Sequence, residues 1–143
     1  MPEKAFSVCI KDSVFIDPAC GSGNFLTETY LSMRRLENEA IAAMLGDDIM
    51  FADTSSLSTI KVSIGQFYGI EINDFAVVVA KTALWIAEAQ MLAETEKIIN
   101  RSLSFLPLKS YANIVEGNAL RIDWESVVPK DKLNYIIGYP PEI

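Results

Sequence analysis

The sequence predicts an α/β fold built around a mainly parallel sheet. Two features carry this. Short apolar runs alternate with longer helical stretches, in the order strand–helix–strand–helix–strand–turn–strand. A glycine-rich loop also sits where the first strand hands over to the first helix. Half of the 143 residues are apolar, which suits one domain with its own core and argues against disorder.

The first strand is the apolar run Val14 to Ile16, followed by the loop "DPACGSG". From Asn24 the chain turns helical: Leu26, Tyr30, Met33, Ala40 and Met44 recur at helical spacing, with Arg34, Arg35, Glu37 and Asn38 mostly on the other faces. Gly46 marks a helix stop. Residues 47–61 carry Asp47, Asp48 and the cluster "DTSSLST", and predict a surface loop. "QFYGIEI" is the second strand, closed by Asn73 and Asp74, both good helix N-caps.

Three consecutive valines in "FAVVVAKTALWIAEAQM" favour a strand on propensity, but the length and the Ala, Leu, Glu and Gln content predict a buried helix. Lys81, Thr82 and Glu88 interrupt its apolar run and argue against a membrane span. A polar connector from Glu94 to Ser110 leads to a third strand, "ANIVEG", then to a turn, "NALRIDW". The fourth strand, "LNYIIG", carries the apolar run Tyr135 to Ile137 and reads as buried.

Charge and composition narrow the chemistry. The net charge is −7 and the twelve Lys and Arg are scattered, so the chain alone is a poor match for nucleic acid. There is no histidine, which removes Ser-His-Asp triads, imidazole bases and most zinc sites. Cys9 and Cys20 have neither metal spacing nor a disulfide framework, and "MPEKAFSVCI" lacks a secretory pattern, so a reducing cytoplasm is expected.

Glycines at 21 and 23 allow a tight turn and leave room for a ligand against the main chain, with helix N-terminal N–H groups close by. The third glycine of a dinucleotide fingerprint is missing and Asp17 precedes the loop, which suits an ammonium better than a phosphate. Glu71 closes the second strand on the same sheet edge, where a carboxylate accepts both hydroxyls of a ribose. Either feature alone is an ordinary turn or a solvated acid. Together they point to a nucleoside-containing cofactor. Asn118 shares that edge, and its amide with the backbone of Ala119 suits an adenine edge, although Gly-Asn is also a common turn. Cys20, Trp85 and Trp124 read as structural, with Trp124 also placed to cap the pocket.

"DPACGSGNFL", "FYGIEINDFA", "GNALRIDW" and "YIIGYPP" occur in this order, from about Val14 to the last residue. Together they resemble the S-adenosylmethionine-dependent DNA adenine-N6 methyltransferases, most closely the methyltransferase regions of bacterial restriction–modification enzymes. The resemblance implies the N-terminal part of a Rossmann-like fold, with four strands in the order 3-2-1-4, as one partial cofactor-binding domain over residues 1–143 without a target-recognition domain. It implies that Asp17, Ala19, Gly21 and Gly23 line the methionine end of S-adenosylmethionine, with Phe25 packed nearby. Glu71 would hold the ribose and Ile72 would lie on the adenine ring. Asn118 would take the adenine amino group and Ala119 the ring nitrogen.

The family's catalytic motif is Asn or Asp, Pro-Pro, then an aromatic. Here Pro140 and Pro141 are in place, but Tyr139 and Glu142 occupy the two side-chain positions. A phenol is larger and mainly a donor, and a carboxylate neither stacks nor welcomes a base. The frame is present and the chemistry is expected to be missing. The resemblance therefore implies DNA as a partner of a larger parent, with this chain a poor DNA binder. A non-catalytic cofactor-binding or assembly module, and a part of a protein or RNA N-methyltransferase, are the alternatives. The fourth strand, apolar and unbroken by charge, is expected to be an exposed edge that pairs with a second copy.

Overall fold

A computed structural model describes residues 10–47, 60–99 and 112–138. Four strands, β1 (Phe15–Asp17), β2 (Phe67–Glu71), β3 (Asn113–Glu116) and β4 (Tyr135–Ile136), form one sheet in the order β3-β2-β1-β4, every pair parallel. Two long helices, α1 (Asn24–Asp47) and α2 (Asp74–Ile99), follow β1 and β2. This is the Rossmann-like arrangement expected from the sequence.

Side chains alternate across the sheet, as the two-residue period of a strand requires. Phe15, Phe67, Ile114 and Ile137 face the helices and meet Leu26 and Tyr30 of α1 and Val77, Ala80, Leu84, Ala87 and Met91 of α2. Ile16, Ile70 and Val115 face the other way, against Ala119, Ile122, Trp124, Val128 and Leu133 of the segment between β3 and β4. An aromatic row crosses the strands on the helical face. The Phe67 and Phe15 rings stack at 5.2 Å, Phe15 and Tyr135 at 5.0 Å, and Tyr30 sets its edge on Phe67 at 5.8 Å. The row follows the register, which pairs Phe15 with both Phe67 and Tyr135.

Five expectations need correction. Arg34, Glu37 and Asn38, expected mostly on other faces than the apolar one, are all buried between the helices. Arg34 donates to Glu37 Oε1 (2.7 Å), Asn38 Oδ1 (3.3 Å), Thr95 Oγ1 (2.6 Å) and the Met91 carbonyl (3.4 Å). Glu37 Oε2 in turn accepts the backbone N–H groups of Lys61 and Val62, at 2.8 and 3.3 Å.

The second helix runs to Ile99, through the start of the predicted polar connector, because Thr95 is needed in that buried network. It is also buried along one face only. Phe75, Val78 and Ile86 are exposed on the other. The fourth strand, finally, is paired over just two residues, and Tyr135 and Ile136 are both exposed, so its apolar content does not make it a buried strand. Gly46 falls within α1, one residue before its end.

Removing one partner of a buried ion pair leaves the other charge uncompensated in a dry interior. Glu37→Ala is expected to destabilise the chain by about 3–5 kcal/mol, read as a lower denaturant midpoint. Arg35→Ala, at the exposed neighbouring position, is expected to stay within about 0.5 kcal/mol of the parent.

Candidate functional site at the carboxyl edge of the sheet

The carboxyl ends of the strands bring Asp17, Glu71, Glu116 and Gly138 to one edge of the sheet. The loop after β1 folds back over β2, where the Cys20 N–H donates to the Ile70 carbonyl at 3.1 Å. That close approach needs Gly69: a Cβ there would sit 2.9 Å from Cys20 Sγ and 3.1 Å from Leu26 Cδ1.

The two loop glycines have different tasks. Gly21 has φ +55 and its Cα faces open space, with no atom of the described residues within 4 Å of where a Cβ would stand. Gly23 has φ +84, and a Cβ would lie 3.0 Å from Ala80 Cβ. The room beside Gly23 is therefore taken by α2, not kept for a ligand.

Glu71 ties the edge together. Its Oε1 accepts the Gly21 N–H at 3.3 Å, and its Oε2 accepts the Asn73 N–H at 2.9 Å. Asn73 caps α2 through Oδ1, which accepts the Ala76 N–H at 3.1 Å. The Glu71 carbonyl accepts from Gly117 N–H at 2.9 Å, which sets the turn after β3 beside it. In that turn Asn118 Oδ1 accepts the Leu120 N–H at 3.0 Å, and the Ala119 carbonyl accepts the Trp124 indole N–H at 2.7 Å. Trp124 thus braces the turn from the sheet side.

Asp17 is the unusual member. Its side chain is 1% exposed. Oδ1 accepts the Ala19 N–H at 3.1 Å, whereas Oδ2 is buried with no hydrogen-bond partner among the described residues. Burial pushes its pKa up, the Ala19 bond opposes this, and the Glu71 charge adds to the rise. The same burial, with the charges of Asp17 and Glu71, pushes the Cys20 thiol up to about 12. Cys20 is a packed loop residue, as the sequence indicated, and not a nucleophile.

Exposed apolar side chains border the edge: Phe25, Ile72 and Leu120, the last 94% exposed. Leu120 was not foreseen from the sequence, although an apolar residue within the polar turn "NALRID" is a visible signal. Tyr139, Pro140, Pro141 and Glu142 lie outside the described residues.

The model of the MmeI DNA-methyltransferase domain matches residues 4–143. The chain belongs to this family. It is 42% identical over 133 residues to DNA methyltransferase A of Bacillus subtilis (strain 168), covering 89% of this chain and 14% of that protein. The structure of the type IIL restriction-modification enzyme MmeI in complex with DNA superposes with a TM-score of 0.87 at 36% identity, over 97% of this chain and 18% of the other. The chain thus spans less than a fifth of either relative.

Within this methyltransferase domain the edge fits a nucleoside that carries a cation. Glu71 keeps acceptor capacity beyond its two backbone bonds, Ile72 and Leu120 offer apolar surface, and Asp17 holds an unpaired carboxylate oxygen. Gly21 leaves the approach clear.

The raised Asp17 pKa has a stability consequence. The folded chain holds the proton more tightly than the unfolded chain, so stability is lost as pH rises from the ordinary value of 3.8 through the raised one. Asp17→Asn removes this ionisation. The stability of the parent minus that of the variant, measured by denaturant unfolding from pH 3 to pH 8, is expected to fall with rising pH and then level off.

Proposed function

We propose that this chain binds S-adenosylmethionine at the carboxyl edge of its sheet. The observation that carries the reading is the buried, unpartnered Oδ2 of Asp17 on the edge that also presents Glu71. Glu71 accepts the ribose hydroxyls, Ile72 supports the adenine ring, and Asn118 with Ala119 reads its edge. Asp17 and the Gly21 backbone take the amino-acid end, with Phe25 beside it. The bound cofactor would supply an electrophilic methyl group to an amine. Calorimetry at high cofactor concentration is expected to show weak binding, and Glu71→Ala to weaken it by at least about tenfold. Unchanged affinity in that variant would remove the ribose assignment.

Methylation is a separate matter. In the family an amide or carboxylate oxygen and the first proline carbonyl accept the protons of the target amine, while an aromatic holds the flipped base. Tyr139 and Glu142 supply neither function, and the net charge of −7 opposes a phosphate backbone. We propose that DNA adenine methylation belongs to longer members of the family and that this chain does not perform it. Labelled methyl transfer to mixed-sequence DNA is expected to show no turnover, even with Asn at position 139, because the stacking aromatic is still missing. Protein-dependent label in the DNA would overturn this.

Self-association through β4 is the third proposal. Among the described residues β4 pairs on one side only, with β1, and its Tyr135 and Ile136 are exposed. An open edge offers backbone donors and acceptors to another strand. Light scattering is expected to show mass rising with concentration, with Leu133 to Ile137 at the contact. A concentration-independent monomer would show that the edge is protected.

A further inference from the structure

Gly138 follows β4 with φ +140, a backbone conformation that side chains rarely adopt. A Cβ there would lie 2.6 Å from Asp17 Oδ1, 3.1 Å from its Cγ and 3.3 Å from Oδ2. The bare backbone of Gly138 therefore rests against the carboxylate itself. The ladder between β1 and β4 holds it there: the Ile137 N–H donates to the Ile16 carbonyl at 2.9 Å, and Ile16 pairs with Ile136.

The Asp17 carboxylate thus lies between the loop after β1 and Gly138. One oxygen accepts from that loop, and the other has no partner among the described residues. Oδ2 is buried with Gly138 against it on the β4 side, so an ammonium that pairs with it meets Gly138 too.

We infer that Gly138 is a positioning residue for the charged end of the cofactor: its bare backbone sets the Asp17 carboxylate, and Gly138 shifts when an ammonium pairs with that carboxylate. The inference rests on the cofactor reading above. It makes Gly138 responsive to the amino-acid end of the ligand and indifferent to its nucleoside.

The chain has seven glycines, so a glycine-labelled amide spectrum is small enough to assign. S-adenosylmethionine is expected to shift Gly21 and Gly138. 5′-Methylthioadenosine, which has the nucleoside but no amino-acid end, is expected to shift Gly117 and leave Gly138 in place. If S-adenosylmethionine shifts Gly21 but not Gly138, or both ligands shift Gly138 equally, this inference falls and the cofactor reading stands. If S-adenosylmethionine moves no glycine, both fall.

A double-mutant cycle adds an independent arm. Asp17→Ala and Gly138→Ala should each weaken S-adenosylmethionine binding by about tenfold, and the double variant should bind no worse than the weaker single one. Additive losses would show that Gly138 acts without Asp17. Should Gly138→Ala fail to fold, the spectra of the parent chain decide alone.

Discussion

A guanidinium withdrawn from water between two helices must find acceptors for its N–H groups, and Arg34 finds them in two separate stretches of the chain. Glu37 and Asn38 come from its own helix, Thr95 and the Met91 carbonyl from α2, and Glu37 passes the contact on to the backbone at Lys61 and Val62. Sliding either helix by a residue would turn these acceptors away and leave a charge buried. The network therefore fixes how α1 and α2 sit against each other and against the segment that enters β2. Gln66 does the same at the start of β2, where its side-chain amide donates to the Ile10 and Ser13 carbonyls, both at 2.8 Å. With those ends fixed, the starts of α1 and α2 fall beside each other, which puts Gly21 within reach of the Glu71 carboxylate.

The carboxyl edge of the sheet departs from that economy. Arg34 bonds to four acceptors, while Asp17, equally buried, has one carboxylate oxygen without a donor among the described residues. The Thr27 hydroxyl, the Asn38 amide nitrogen and the Trp85 indole nitrogen are also buried unpaired, but the Asp17 oxygen alone among these belongs to an acid, where the cost is greatest. It sits beside Glu71, whose charge makes ionisation of Asp17 harder still. On the proposed reading, two acids held close, one unpaired, would receive a positive charge, and the cost of their burial would be recovered when it arrives. Composition alone hides this, because a net charge of −7 says where phosphate is unwelcome and not where an ammonium is wanted.

Much of the fold could be read in advance because the signals are local. A strand that ends in Asp-Pro and glycines, or in Glu-Ile-Asn-Asp, announces its own handover to a helix, and the parallel order follows from the spacing between such handovers. The misread residues depend on distant partners. Periodicity treats Arg34, Glu37 and Asn38 as a polar face, since it cannot know that Thr95 lies opposite. The run Tyr135 to Ile137 is apolar enough for a buried strand, yet burial depends on what packs over it, and Ile136 faces outward uncovered among the described residues. Gly23 looks like Gly21 in the sequence, and only the position of Ala80 separates a packing glycine from one that borders open space. The contact between Gly138 and Asp17 joins residues far apart in the sequence, so neither local motif reveals it.

The two sides of the site are held with unequal firmness, and this has a consequence for the order of binding. The Glu71 side is clamped by the β1–β2–β3 ladders, the capped start of α2 and the Trp124 brace on the Ala119 turn. The Gly138 side rests on a two-residue strand, the Asn134 side chain that accepts the Val14 N–H at 2.8 Å, and the stacked rings of Tyr135 and Phe15. On the proposed reading a nucleoside would meet a surface already in shape, where little ordering entropy remains to be lost. The ammonium would meet the side with fewer ties, away from the helices and the central ladder. Docking of the nucleoside first would raise the local concentration of the charged end beside Asp17, and the weaker half of the site would respond to a ligand that the stronger half had selected.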